Sequence, residues 1–248
     1  MAEQTNREIV KAPTANMAAR EAFDSIEKML TAEARKKELT TLWGGDEQLG
    51  MFMSALRAAA MKNKDILLCS PESVMLAARE CGILRLQPNS SAMGEMWLIP
   101  RARQLVAQVG KNGLIKLARR TGIVLDVRGV AVRENDIFEF DETVGVTRHT
   151  YSLTTKRGDV IGAYAWWSPT DHFDKDGHPI RITGPVLTLD KIEEVRGRAP
   201  SGNNDKSAWA TNYAEMAERT AISRMLRSAG LSGNEQLSFA LRNEDDTH

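Results

Sequence analysis

The chain has 248 residues, with 33 basic and 33 acidic side chains and a formal net charge of zero. Hydrophobic residues make up 42% and charged residues 27%, the balance of a globular protein with one large domain or two small ones. There is no apolar run of the roughly 18 residues that cross a membrane, no apolar signal core at the start and no CxxC pair between Cys69 and Cys81. The expectation is a cytoplasmic protein with reduced thiols and no membrane partner.

Met1 to about Arg20 is polar and reads as a flexible arm. Phe23, Ile26, Met29 and Leu30 recur at helical spacing and predict an amphipathic helix from Glu21 to Leu42. Leu49, Phe52, Met53, Leu56 and Ala60 predict a second, from Asp46 to Lys64. Ser70-Pro71 is a helix start, serine as N-cap and proline in the first turn, and Gly82 is its stop, giving a helix over 71–81. Met96 to Pro100 and Arg103 to Val109 read as a hairpin with Arg101-Ala102 at its tip; Asn112 to Thr121 is a helix closed by Gly122.

Strands are expected at Val124 to Arg133, Ile137 to Phe140, His149 to Thr155 and Val160 to Trp167, followed by a loop or a loose hairpin from Ser168 to Gly184. Thr188 caps a short helix to about Arg196, Gly197 to Ser207 is a basic loop, and Trp209 to Ser228 is a helix. Helices, then strands, then helices again predict an α+β fold. The expected layout is an arm over 1–20, a single domain over 21–228 (N-terminal helices over 21–64, core over 65–228) and an acidic tail over 229–248.

Charge is not spread evenly. Trp97 to Arg133 holds eight basic side chains and a single acid, Asp126. Such a segment is either a solvated helix face or a surface that tracks a nucleic-acid backbone. Arg101 and Arg103 stand at the hairpin tip, Gln108 ends its second strand, and Gly110-Lys111-Asn112-Gly113 turns into the helix. Glycines there let a phosphate approach the backbone. Lys116, Arg119 and Arg120 lie three and four residues apart, so they share one helix face.

In the last helix Trp209, Tyr213 and Met216 recur at helical spacing, and Thr220, Arg224 and Arg227 extend the stripe, with Arg219 off it. This is either core packing or a stacking platform with phosphate contacts. Arg196 and Arg198 add charge beside it.

Other chemistry is thinly supported. The histidines show no metal-ligand spacing, and no P-loop occurs. Glu134, Asp136, Glu139, Asp141 and Glu142 are either metal ligands of a nuclease or the solvent edge of a strand. The single Gly-x-x-Gly suggests a KH clamp, but the order of elements does not.

Several segments, in order, resemble the RecT family of phage single-strand annealing proteins. They are Cys69-Ser70-Pro71-Glu72-Ser73; Cys81-Gly82-Ile83-Leu84 with Pro88; Trp97-Leu98-Ile99-Pro100; and Gln108-Val109-Gly110 with Gly113-Leu114-Ile115. Leu117-Ala118-Arg119-Arg120-Thr121-Gly122, Glu134-Asn135-Asp136, His149 and Arg157-Gly158 with Gly162-Ala163-Tyr164-Ala165 follow. Trp209 then leads to Glu215-Met216-Ala217-Glu218-Arg219-Thr220-Ala221-Ile222. Where the family has an aromatic residue and a lysine inside its glycine turn, this chain has Lys111-Asn112.

The resemblance implies an α+β core related to lambda Red beta and ATP-independent annealing of complementary single strands by rings or helical filaments. It implies no required cofactor, with a divalent cation modulating annealing, and as partners a 5′–3′ exonuclease and the host single-strand binding protein. Expected DNA contacts are Arg101, Arg103, Gln108, Lys111, Lys116, Arg119, Arg120, Arg196, Arg198, Trp209, Arg219 and Arg224. The rival readings are a binding module that does not anneal and a metal-dependent nuclease.

Overall fold

The computed structural model describes residues 15–88, 94–199, 205, 207–231 and 234–246. Residues 1–14 of the expected arm lie outside these; residues 15–20 of it belong to a helix. α1 (Ala15–Thr31) and α2 (Glu33–Trp43) replace the single helix expected over 21–42. Ala32 is extended between them, and the break lets α1 bury Phe23, Ile26 and Leu30 while α2 buries Leu39 and Trp43. α3 (Asp46–Lys62) buries Leu49, Phe52, Leu56, Ala59 and Ala60, as its periodicity predicts.

α4 (Pro71–Leu84) starts as expected: the Ser73 N–H donates to Ser70 Oγ at 3.3 Å, with Pro71 in the first turn. It does not stop at Gly82 but runs to Leu84, with Arg85 as a left-handed C-cap. Gly82 serves packing instead. A Cβ there would stand 3.1 Å from both Leu42 Cβ and Trp43 Nε1, so the glycine lets α2 and α4 approach.

β1 (Met96–Arg101) and β2 (Gln104–Val109) form an antiparallel hairpin whose tip is Ala102-Arg103, one residue later than expected. Both tip residues have positive φ, 45° and 63°, as a two-residue type I′ turn requires, yet neither is glycine or asparagine. Ala102→Asn therefore relieves strain without adding chain entropy and should raise stability by about 0.5–1 kcal/mol. A shift of the urea midpoint upward checks this; an unchanged or lower midpoint refutes the strain.

β2 leads into α5 (Lys111–Arg120) through Gly110. Here the chain crosses itself closely. The Gly110 N–H donates to the Glu95 carbonyl at 2.9 Å. A Cβ on Gly110 would stand 1.9 Å from the Gly94 carbonyl oxygen, and one on Gly113 2.1 Å from the Glu95 carbonyl oxygen. The space the glycines leave is filled by the backbone of residues 94–95, which corrects the expectation that it admits a phosphate.

β3 (Val124–Arg133) pairs antiparallel with β6 (Val160–Pro169). On the other side of β6 lie the short β7 (Ile182–Thr183) and β8 (Leu187–Thr188), also antiparallel. β4 (Ile137–Asp141) and β5 (Gly145–Thr150) form a separate antiparallel hairpin; β5 overlaps the strand expected over 149–155 only at His149 and Thr150, and residues 151–159 are loop. The hairpin is fixed by a polar cluster. Arg157 donates Nε to Asp136 Oδ1 at 2.8 Å and Nη2 to Oδ2 at 2.6 Å. His149 Nε2 donates to the same carboxylate at 3.0 Å, because an ionised aspartate only accepts, and Nδ1 lies 3.1 Å from the Tyr164 hydroxyl.

α6 (Leu189–Arg198) follows. The helix expected over 209–228 is two: α7 (Ala208–Thr211) and α8 (Tyr213–Ser228), separated at Asn212. α8 lies across the sheet so closely that a Cβ on Gly129 would stand 2.5 Å from the Glu218 carbonyl oxygen. α9 (Glu235–Asp246) occupies the stretch read as an acidic tail and buries Leu237 and Ala240. The architecture is α+β. Among the described residues no helix is long and apolar enough to cross a membrane.

Candidate nucleic-acid interface

A groove of about 960 Å³ opens between the β1–β2 hairpin on one wall and α7, α8 and the end of α6 on the other. It gathers Arg101, Gln108, Lys111, Arg198, Trp209, Arg219 and Arg224 from segments as much as 123 residues apart (224 minus 101).

The hairpin supplies its face by simple alternation. Met96 and Leu98 are buried while Trp97 between them is 43% exposed, and Trp97 sits cross-strand from Gln108. Trp97, Ile99 and Arg101 thus line the groove. The sequence reading did not name Trp97 as a contact; the alternation around it was the signal that would have found it. Its partly exposed indole is of the residue type on which bases stack.

Arg101 is the most unusual cation here. Its Nε is buried without a hydrogen-bond partner, and burial pushes its pKa below the ordinary guanidinium value. A partly desolvated cation with no ion pair among the described residues suits an anion. Arg224 likewise makes no ion pair among the described residues, although it lies in the field of Glu194.

The remaining groove cations have carboxylate or carbonyl partners. Lys111 Nζ donates to Glu218 Oε2 at 2.8 Å, with Glu215 3.9 Å away. Arg198 pairs with Glu194. Arg219 is buried and its Nε donates to the Val109 carbonyl at 3.0 Å, tying α8 to the hairpin. Trp209 is only 3% exposed and packs edge-to-face on Tyr213, so it shapes the groove from within the core. The break at Asn212 also ends the expected continuous stripe from Trp209 to Arg227.

The other expected contacts lie outside the groove lining. Lys116 donates to both oxygens of the buried Glu95 carboxylate at 2.7 and 2.9 Å. Arg119 pairs with Asp126 at 2.5 Å. Arg120 donates to the carbonyls of Leu84 and Arg85 at 2.7 and 3.0 Å, closing the end of α4. These three therefore each have a different partner within the chain. Arg103 is exposed at the hairpin tip, and Arg196 lies 3.4 Å from Glu193 on α6.

The acids weighed as metal ligands are dispersed. The Glu134 carboxylate accepts the Asp159 N–H, Asp136 is committed to Arg157, Glu139 is 3.6 Å from Arg148, and Asp141 accepts the N–H groups of Thr143 and Val144. Among the described residues no three of His, Cys, Asp and Glu gather as a metal site.

Protein RecT of Escherichia coli (strain K12) is 32% identical over 174 residues, which cover 64% of this chain and 58% of that protein. The chain thus matches less than two thirds of that relative's length. The model of the RecT family matches residues 50–246, a span that includes every element lining the groove. By that match the chain belongs to the RecT family.

Proposed function

We propose that the groove holds single-stranded DNA and that the protein promotes annealing of complementary strands without ATP, in homologous recombination. The observation that carries this reading is the conjunction of an exposed Trp97 with Arg101 and Arg224, two cations without a carboxylate partner among the described residues, in one groove. Such a surface contacts backbone and ring faces, leaving sequence to be read by base pairing. Annealing breaks no covalent bond, so no catalytic group or nucleotide is called for, and a divalent cation acts by screening phosphates. The protein works as a homo-oligomer, ring or helical filament, alongside a 5′–3′ exonuclease that makes the single strands and the host single-strand binding protein that coats them.

The test is annealing of two labelled complementary oligonucleotides across a salt series, without nucleotide. We expect acceleration over the spontaneous rate that fades as salt rises. Arg101→Ala should weaken single-strand binding about tenfold, the scale of one charge-assisted contact. Trp97→Ala should cost a similar factor through lost stacking. Tight binding with no acceleration would leave a binding module that does not anneal; unchanged binding in both variants would remove the groove from consideration.

A further inference from the structure

Residues 143–158 contain no acidic side chain, but do contain Arg148, Lys156 and Arg157 among serines and threonines. Within this stretch Tyr151 is 49% exposed, and the Arg157 guanidinium lies 3.9 Å from its ring centroid. Leu153, at 91%, is almost fully exposed. Lys156 is exposed and makes no ion pair among the described residues.

The platform is rigid for identifiable reasons. Asp136 grips Arg157 through both carboxylate oxygens and is itself held by His149 and the Arg133 N–H. The loop backbone is strapped to the end of β3. The Asn135 N–H donates to the Arg157 carbonyl at 3.0 Å, Asn135 Nδ2 to the Lys156 carbonyl at 2.9 Å, and Arg133 Nη1 to the Gly158 carbonyl at 3.0 Å. A buried carboxylate is costly to retain. Its effect here is to fix an arginine behind an exposed tyrosine.

The platform also lies next to the groove. Arg157 Nη2 donates to the Ala131 carbonyl at 3.3 Å, two residues along β3 from Gly129, where the Glu218 carbonyl crosses the strand. Two residues of strand span about 7 Å. The Glu218 carboxylate holds Lys111 at the groove, and Arg157 lies within its field.

We propose that Tyr151 and Lys156 form a further contact for single-stranded nucleic acid, a stacking platform that continues the groove beyond Lys111. This rests on the groove reading above. The free chemistry favours a base over an acidic peptide. The hydrogen-bonding edge of Arg157 is already taken by Asp136, so what stays accessible is the exposed half of the tyrosine, with Lys156 exposed close by in sequence for a phosphate. A cation behind a ring stiffens it without covering the outer face.

The experiment is fluorescence anisotropy of the full chain with labelled oligothymidylates of graded length. Wild-type affinity should rise with length until groove and platform are both filled. Tyr151→Leu and Lys156→Ala should bind the shortest oligonucleotides like wild type but the longer ones about tenfold more weakly, while Tyr151→Phe, which keeps the ring, should match wild type throughout. Equal losses at every length, or none at any length, overturn the platform. If Arg101→Ala loses binding while both platform variants bind every length normally, the platform alone falls. Should the wild-type protein bind no single strand, both readings fall together.

Discussion

Alanine at Gly110 should destabilise the protein by about 3–5 kcal/mol, the range reached when backbone must be displaced from a packed interior. The added Cβ would stand 1.9 Å from the Gly94 carbonyl oxygen and 2.9 Å from Trp97 Nε1. The first of these is main chain and cannot rotate aside. Relief would require pulling residues 94–95 off the start of α5, with loss of the hydrogen bond from Gly110 to Glu95. Gly50 is the matched control: it lies inside α3 with nothing within 4 Å of its Cβ position, so alanine there should stabilise by about 0.5–1 kcal/mol. Urea melts of the two variants should shift in opposite directions. A Gly110→Ala protein that melts like wild type would return that glycine to a role in ligand approach.

The second large effect concerns acid and the β4–β5 hairpin. Asp136 is fully buried and accepts from Arg157, His149 and the Arg133 N–H. The Arg157 hydrogen bonds, reinforced by His149, hold its carboxyl well below the usual aspartate range, against the opposing pull of burial. The folded state therefore binds this proton less readily than the unfolded chain does. The stabilisation is fully present above about pH 4, the ordinary aspartate value, and is lost as pH falls below it toward the folded pKa. Asp136→Asn should cost about 2–4 kcal/mol at neutral pH, since it leaves Arg157 without its counter-charge. The gap from wild type should narrow as acid is added. Urea melts from about pH 5 down to about pH 2 measure this; a gap that stays constant would show that Asp136 is not the titrating group.

How far the sequence could be read follows from the distance between interacting residues. The start of α4, the face of α3 and strands β3 and β6 rest on local signals: a capping serine, a proline in the first turn, apolar periodicity. The cations show the opposite case. Lys111 finds Glu218 across 107 positions, Arg219 finds the Val109 carbonyl across 110, and Lys116 finds Glu95 across 21. No spacing rule encodes such pairs, so the partners of a basic run stay hidden in the sequence. The break at Asn212 is similar. The apolar pattern runs on past this point, yet the backbone at Asn212 leaves the helical region, with φ −139° and ψ 49°, and divides α7 from α8. The Asp136 cluster shows convergence of another kind. Asp136, His149, Arg157 and Tyr164 stand in four separate stretches of sequence, and only the fold reveals them as one unit.

The ion pairs of the groove also bear on how its binding would be counted. When phosphate takes Lys111 from Glu218 or Arg198 from Glu194, the freed carboxylate recruits a cation from solution. That uptake cancels part of the counterion release that drives polyanion binding, normally about 0.7 ion per neutralised phosphate on a single strand. Cations already partnered within the protein would then be nearly silent in a salt titration. Arg101 and Arg224, which hold no carboxylate among the described residues, would dominate its slope. A modest slope would therefore be compatible with a long track of contacts.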